Sequence, residues 1–272
     1  MSVKKEASGC RSVQVEVEVP GTPEEVWQAI ATGPGISSWF VPAEFEERDG
    51  KPVSVKLNFG PGMESRSVVT VWDPPRKFAA EAAGWAPGSP TIADEWSVET
   101  RGAGICIVRV VHSLFASTDD WDNQLDGLEQ GWPTYFRILR RYLADFKSMP
   151  CSAMQFVAFS TDSESKTWEK LGGELGLLKV AQGQKWSVPD GFPRMTGVVD
   201  SLGKGMHSNT VLLRLDTPVP GSAYIGAIAC GGIVQVYMAI YLYGPNAKAA
   251  VERDQPTWQT WIGERFPMPQ MG

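Results

Sequence analysis

Trp121–Phe146, WDNQLDGLEQGWPTYFRILRRYLADF, is the stretch whose reading decides the fold. Leu125, Leu128, Trp132, Tyr135, Phe136, Leu139, Leu143 and Phe146 recur at three- and four-residue steps and form one broad apolar stripe. Arg137, Arg140, Arg141 and Lys147 crowd its C-terminal end, where a helix favours positive charge. Gly131 and Pro133 fall near the middle, and a residue lacking a backbone N–H there predicts a kink. An amphipathic helix after a run of strand-like segments points to a curved antiparallel sheet gripping a closing helix. The plainer alternative is an ordinary core helix with a proline kink.

Working back from that helix, Val13–Val19 (VQVEVEV) alternates strictly and reads as a half-buried first strand. Thr22, Pro23 and Glu24-Glu25 are helix-start signals, and Val26, Trp27 and Ile30 supply that helix's apolar face. Gly33-Pro34-Gly35 reads as a break, with a second short helix over Ile36–Phe40. Strands follow at Ala43–Arg48 and Val53–Phe59, joined through the hairpin signal Asp49-Gly50, then at Ser65–Trp72, Lys77–Trp85, Thr91–Thr100 and Ile105–Phe115. The order is one strand, two helices, about six strands and a long closing helix.

That order resembles the helix-grip fold of the START/pollen-allergen (SRPBCC) superfamily, and within it the activator-of-heat-shock-ATPase-like (AHSA-type) group. The resemblance rests on VEVEVPGTPEEVWQAIATGPGISSWF, on the turn TVWDPPRKFAAE and on EQGWPTYFRILRRYL, and covers about residues 11–147. It implies an α+β domain with a cavity between sheet and closing helix. It implies no particular activity, because the fold hosts carriers, cyclases, hydrolases and co-chaperone modules.

After Pro150 the pattern restarts. Met154–Ser160 reads as a strand, Thr161-Asp162-Ser163 as a cap and Lys166–Leu175 as a helix carrying Trp168, so Trp27 matches Trp168. Near the ends, Pro133-Thr134-Tyr135 matches Pro256-Thr257-Trp258. Residues 153–266 are therefore expected to form a shorter α+β domain, a degenerate second helix-grip copy lacking about two strands' worth of chain. Its further strands are expected near Thr196–Asp200, Thr210–Leu215, Ser222–Ala229 and Gly232–Leu242, with a helix over Asn246–Phe266. An unrelated small α+β domain is the alternative. Missing wall predicts a solid interior, with the domain extending or capping the first or building a dimer contact.

Composition narrows the function. A net charge of -6 without long basic runs argues against nucleic acid as a partner. No stretch approaches the length of a membrane span or has a signal-peptide core, so the expectation is a cytoplasmic protein. The four cysteines are scattered without CxxC spacing, and no HExxH, GxSxG or phosphate-loop pattern occurs, so no metal and no cofactor is expected. The chain has 11 Trp, and so many large rings suit a core or pocket walled by aromatics.

Only two histidines are available for acid–base chemistry, His112 and His207, and His207 sits in a polar turn. His112 shares a strand face with Cys106, Val108, Val110 and Leu114, opposite Arg109; if Arg109 faces solvent, His112 points towards the concave side, where it orients a ligand or acts as a general base, the alternative being a hydrogen-bonded core histidine. On the preceding strand Asp94 shares a face with Ile92, Trp96 and Val98; only strand register decides whether the two meet. The candidate ligand-binding residues are Trp39 and Phe40 from the short helix, Trp85, Trp96 and His112 from strands, and Trp132, Tyr135, Phe136 and Leu139 from the closing helix. Each ring suits a solid core equally well. The leading expectation is non-catalytic binding of a small hydrophobic or amphipathic molecule. The alternatives are interaction with a heat-shock chaperone, implied by the AHSA-type resemblance, and a cyclase- or hydrolase-like enzyme using His112.

Overall fold

The computed structural model describes residues 3–5, 10–82, 90–115, 122–230 and 232–267. Two units divide the chain, with the boundary between Lys147 and Ser148. In the first, β1 (Lys4–Lys5) and β2 (Cys10–Pro20) lead into α1 (Pro23–Ile30) and α2 (Gly33–Ser37). Six strands follow: β3 (Ala43–Arg48), β4 (Lys51–Asn58), β5 (Glu64–Asp73), β6 (Lys77–Ala82), β7 (Ile92–Gly102) and β8 (Ile105–Phe115). The closing helix α3 (Asp122–Arg141) ends in a π-helical turn, Tyr142–Phe146. The sheet is antiparallel throughout, in the order β1-β2-β8-β7-β6-β5-β4-β3, so the first long strand lies beside the last. This is a helix-grip fold.

Local chemistry explains most boundaries. The Thr22 hydroxyl accepts from the Glu25 N–H, and the Glu25 carboxylate accepts from the Thr22 N–H, a complete capping box. Lys147 donates to the same carboxylate at 2.7 Å, and that ion pair with the Thr22 N–H holds the Glu25 carboxyl below the usual range. At the β3–β4 hairpin Asp49 and Gly50 both take positive φ, 51° and 72°, the twist that a tight two-residue turn needs.

Two expectations change. Gly33-Pro34-Gly35 does not end a helix but forms the first turn of α2, because Thr32 caps it and Pro34 sits where no N–H is required. Trp39 and Phe40 consequently follow that helix instead of lying on it. Helix α3 contains Pro133, the residue expected to kink it, and ends in the π-helical turn at Tyr142–Phe146.

The two faces of the first sheet divide cleanly. Val19, Val98, Val108 and Val110 point inward and are buried. The opposite face carries ion pairs between strands: Arg109 donates to Glu16 and Glu99, Lys77 pairs with Glu95, and Arg101 with Glu18. Such exposed pairs add little stability each. They keep this face in water and leave the inner face to the helices.

The second unit runs β9 (Cys151–Ser160), α4 (Glu164–Glu174), β10 (Lys185–Ser187), β11 (Thr196–Leu202), β12 (Thr210–Thr217), β13 (Gly221–Cys230), β14 (Ile233–Tyr243) and α5 (Ala247–Arg265). Its sheet order is β10-β11-β12-β13-β14-β9, again with first and last strands paired. One helix, capped by Ser163, replaces the pair α1–α2, and the strands between it and the closing helix are five among the described residues against six in the first unit. The shortening is thus one strand and one helix, not two strands. Phe156, Leu171, Trp186, Met238, Trp258 and Ile262 belong to one continuous core. A hollow of about 430 Å3 lined by Pro256, Thr257, Thr260, Trp261 and Glu264 lies on the surface of α5 alone. Residues of one helix cannot enclose a ligand.

A Cβ on Gly35 would come within 1.9 Å of the Gln28 carbonyl oxygen, whereas one on Gly263, exposed in α5, meets nothing within 4 Å. Gly35→Ala is expected to cost several kcal/mol, as strained overpacking does, while Gly263→Ala gains about 0.5–1 kcal/mol. Urea unfolding of the two variants beside the unsubstituted chain checks both signs.

Candidate functional site

The inner face of the first unit carries a continuous cluster of aromatic rings. Trp132 on α3 is its hub, with ring centroids 5.1 Å from Phe40, 5.1 Å from Trp96 and 5.2 Å from Phe136. Phe40 meets the edge of Tyr135 at 4.6 Å, and Trp39 stacks on Phe40 at 5.6 Å. Trp39 is anchored further by its indole N–H, which donates to the Ala29 carbonyl at 2.9 Å. Beyond Trp96 the cluster continues to Phe78, stacked at 6.2 Å, and from there to Trp27, Phe45 and Trp72. Edge-to-face and offset contacts of this kind add about 0.5–1.5 kcal/mol each beyond the area they bury.

Through the cluster runs one polar chain. Asp94 and His112 stand directly opposite in the β7–β8 register. Asp94 Oδ1 is 2.5 Å from His112 Nδ1, and the Trp132 indole Nε1 is 2.5 Å from His112 Nε2. An indole N–H can only donate, so Nε2 must be the acceptor and Nδ1 must carry the proton donated to Asp94. The contacts therefore define a neutral imidazole in a single tautomer, oriented by a carboxylate. His112 is only 6% exposed. Left without these partners it would be a costly buried polar group.

Between the rings and the sheet a small cavity of about 40 Å3 remains, lined by Trp39, Phe40, Phe78, Ala80, Asp94 and Trp96 among others. Ser67, also buried, lines it too. That volume admits a few waters, well short of the several hundred Å3 of a typical ligand site. Among the described residues no group of three or more metal-ligating side chains comes together, and no helix is long and apolar enough to cross a membrane. Burial raises the Cys106 thiol and leaves it a packing residue.

Of the candidate residues, Trp39, Phe40, Trp96, His112, Trp132, Tyr135 and Phe136 are brought together. Of these only Trp39, Phe40 and Trp96 line the cavity; His112, Trp132, Tyr135 and Phe136 pack behind them, and Leu139 is fully buried further along α3. Trp85 lies outside the described residues. Phe78, Ala80 and Ser67 were missed; strand alternation alone marks them as inward-facing, without showing which inward residues meet. Asp94 was in view, and only the register joined it to His112.

Residues 11–133 match a family model described as polyketide cyclase/dehydrase and lipid transport. The first unit is an SRPBCC-type domain. Among solved structures, the di-domain ARO/CYC protein BexL of the BE-7585A biosynthetic pathway is 11% identical, covering 94% of this chain and 95% of its own at a TM-score of 0.45. CalU16 from Micromonospora echinospora is 16% identical over 53% of this chain and 81% of its own, with a TM-score of 0.42. The Aha1 dimer from Colwellia psychrerythraea is 21% identical over 49% of this chain and 96% of its own, with a TM-score of 0.38. Likeness at this level assigns no activity. No curated protein matches the chain.

Asp94→Ala in the SRPBCC domain leaves the buried His112 Nδ1–H without an acceptor and is expected to cost about 1–3 kcal/mol. Asp94→Asn, whose amide oxygen accepts the same bond, recovers much of it. Chemical denaturation of both variants measures the difference.

Proposed function

We propose that the SRPBCC domain binds a small, flat, largely hydrophobic molecule in the space between its sheet and α3. The observation that carries this reading is the cavity beside Trp96, apolar on most sides with Asp94 and Ser67 as its polar members. A concave, mostly apolar site with a few placed polar groups is the usual form of a small-molecule site. The family model, whose description includes lipid transport, supports the same class of ligand. A ligand larger than a few waters must displace rings of the cluster. Ring–ring contacts are then exchanged for ring–ligand contacts, and affinity comes from the difference, not from the full buried area at about 25 cal/mol per Å2.

A second reading, acid–base catalysis on the bound molecule, is favoured by the Asp94–His112 pair. A carboxylate that holds Nδ1–H leaves the Nε2 lone pair available as a general base once Trp132 moves off it. The chaperone reading receives less support: the large exposed apolar residues of this unit, among those described, are Val68 and Val71, on one strand. Two residues do not make an interaction patch. The second unit, with the same strand order and paired first and last strands, is proposed to be a degenerate copy whose filled core takes no ligand.

Native mass spectrometry of freshly purified protein tests the binding reading, with titration of N-phenyl-1-naphthylamine as an uncharged fluorescent probe. Retained mass that leaves on denaturation, or saturable probe binding, is the expected result. Ala80→Leu, which fills the cavity from the sheet side, is expected to weaken probe binding about tenfold or more while leaving the fold intact. Probe binding that is absent, or indifferent to Ala80→Leu, would overturn the assignment.

A further inference from the structure

We infer that Trp132, packed behind the cavity-lining rings of Phe40 and Trp96, is a gate on this binding space, held shut by the neutral form of His112 and released by acid. What the gate opens onto rests on the binding reading above; the gate itself rests on the bonds around His112. Trp132 Nε1–H donates to His112 Nε2 at 2.5 Å, with the ring planes 16° apart, as a bond in the plane of the imidazole requires. The indole thereby occupies the imidazole nitrogen that Asp94 does not hold.

Protonation changes only one of these two bonds. An imidazolium has N–H groups at both positions, so Nδ1–H still donates to Asp94, more strongly for the added charge. Nε2–H then faces the indole N–H, donor against donor, and attraction becomes repulsion. The remaining ring contacts of Trp132 are with Trp39, Phe40, Trp96, Tyr135 and Phe136, which do not change their charge between pH 8 and 5. Acid therefore releases the indole while the Asp94 pairing keeps His112 in place. The sign follows from linkage: the open form takes up a proton at Nε2 more readily than the closed one, so falling pH favours opening and rising pH restores the bond.

Among the described residues, these ionisable groups lie on the elements packed around His112. From β7 the facing group is Asp94, and the next strand beyond it places Ala80 opposite Asp94. From β2, Val13 stands directly opposite, and Arg11, two residues away on the same face, is buried. From α3 the nearest ionisable groups are Glu129, half-buried about one turn ahead of Trp132, and Tyr135. Arg109, on the same strand, lies on the other face with Glu16 and Glu99.

The test follows the Trp132 indole N–H resonance, assigned by its absence in Trp132→Phe, together with the His112 ring resonances between pH 8 and 5. The expected result is that the indole signal moves in step with His112. Its hydrogen exchange, corrected for the intrinsic rate at each pH, should rise about tenfold, the worth of one lost hydrogen bond. Affinity for N-phenyl-1-naphthylamine should rise by a similar factor. His112→Gln, which accepts from the indole and does not titrate, is expected to abolish the response. Trp132→Phe, which has no N–H to hold, should bind the probe independently of pH, so the test stands even if one variant fails to fold. An indole signal that stays still while His112 titrates, or a His112 that does not titrate in this range, overturns the gate. A gate that moves while the probe never binds leaves the gate standing and removes the binding reading instead.

Discussion

The first unit depends on how its closing helix is fastened to the inner face of its sheet. Trp132 does this with one side chain: its ring joins an apolar cluster, and its N–H closes a bond chain that reaches through His112 to Asp94 on the neighbouring strand. Apolar contact supplies most of the attraction but is tolerant of sliding. A hydrogen bond at 2.5 Å to a fixed nitrogen is not. The polar chain thus specifies where along the sheet the helix sits, and each of its members is costly to leave unpartnered in so dry a place.

The same arrangement accounts for the small size of the cavity. Large rings pack efficiently when edge-to-face, tilted and stacked contacts are combined, and the cluster from Tyr135 through Trp96 to Trp72 uses all three. A protein that binds flat apolar molecules can be closed when empty for this reason: its own rings stand in for the ligand. The cost is that binding must reopen packed contacts, which favours a site with few movable parts. Here the bond to His112 and the hub of the ring cluster belong to the same residue, Trp132.

The second unit solves the same architectural problem without the polar chain. First and last strands pair, and a proline-containing helix closes the sheet, as in the first unit. Trp258 occupies the place of Tyr135 in the matched PTY and PTW segments and is fully buried against Phe192, with its indole N–H unpartnered among the described residues. One strand fewer and a single helix bring the layers together over a filled interior. One topology thus accommodates a small cavity in one unit and a solid core in the other.

Much of this was legible in the residues themselves. Alternation marked the strands and placed His112 on the inner face, Asp49-Gly50 marked a hairpin, Thr22 with Glu25 marked a helix start, and the stripe from Leu125 to Leu143 marked the closing helix. These features repeat with the period of the local backbone, two residues in a strand and 3.6 in a helix, so a short window contains them. Gly33-Pro34-Gly35 misled because the same residues that break a helix can also begin one, and the Thr32 cap decides which. What the tertiary structure alone decided was the pairing of Asp94 with His112, the approach of Trp132 to both and the closure of the rings around a small cavity. A slip of one residue between β7 and β8 would leave every local pattern intact and send Asp94 to the outer face, and only the packing of whole strands and helices excludes it.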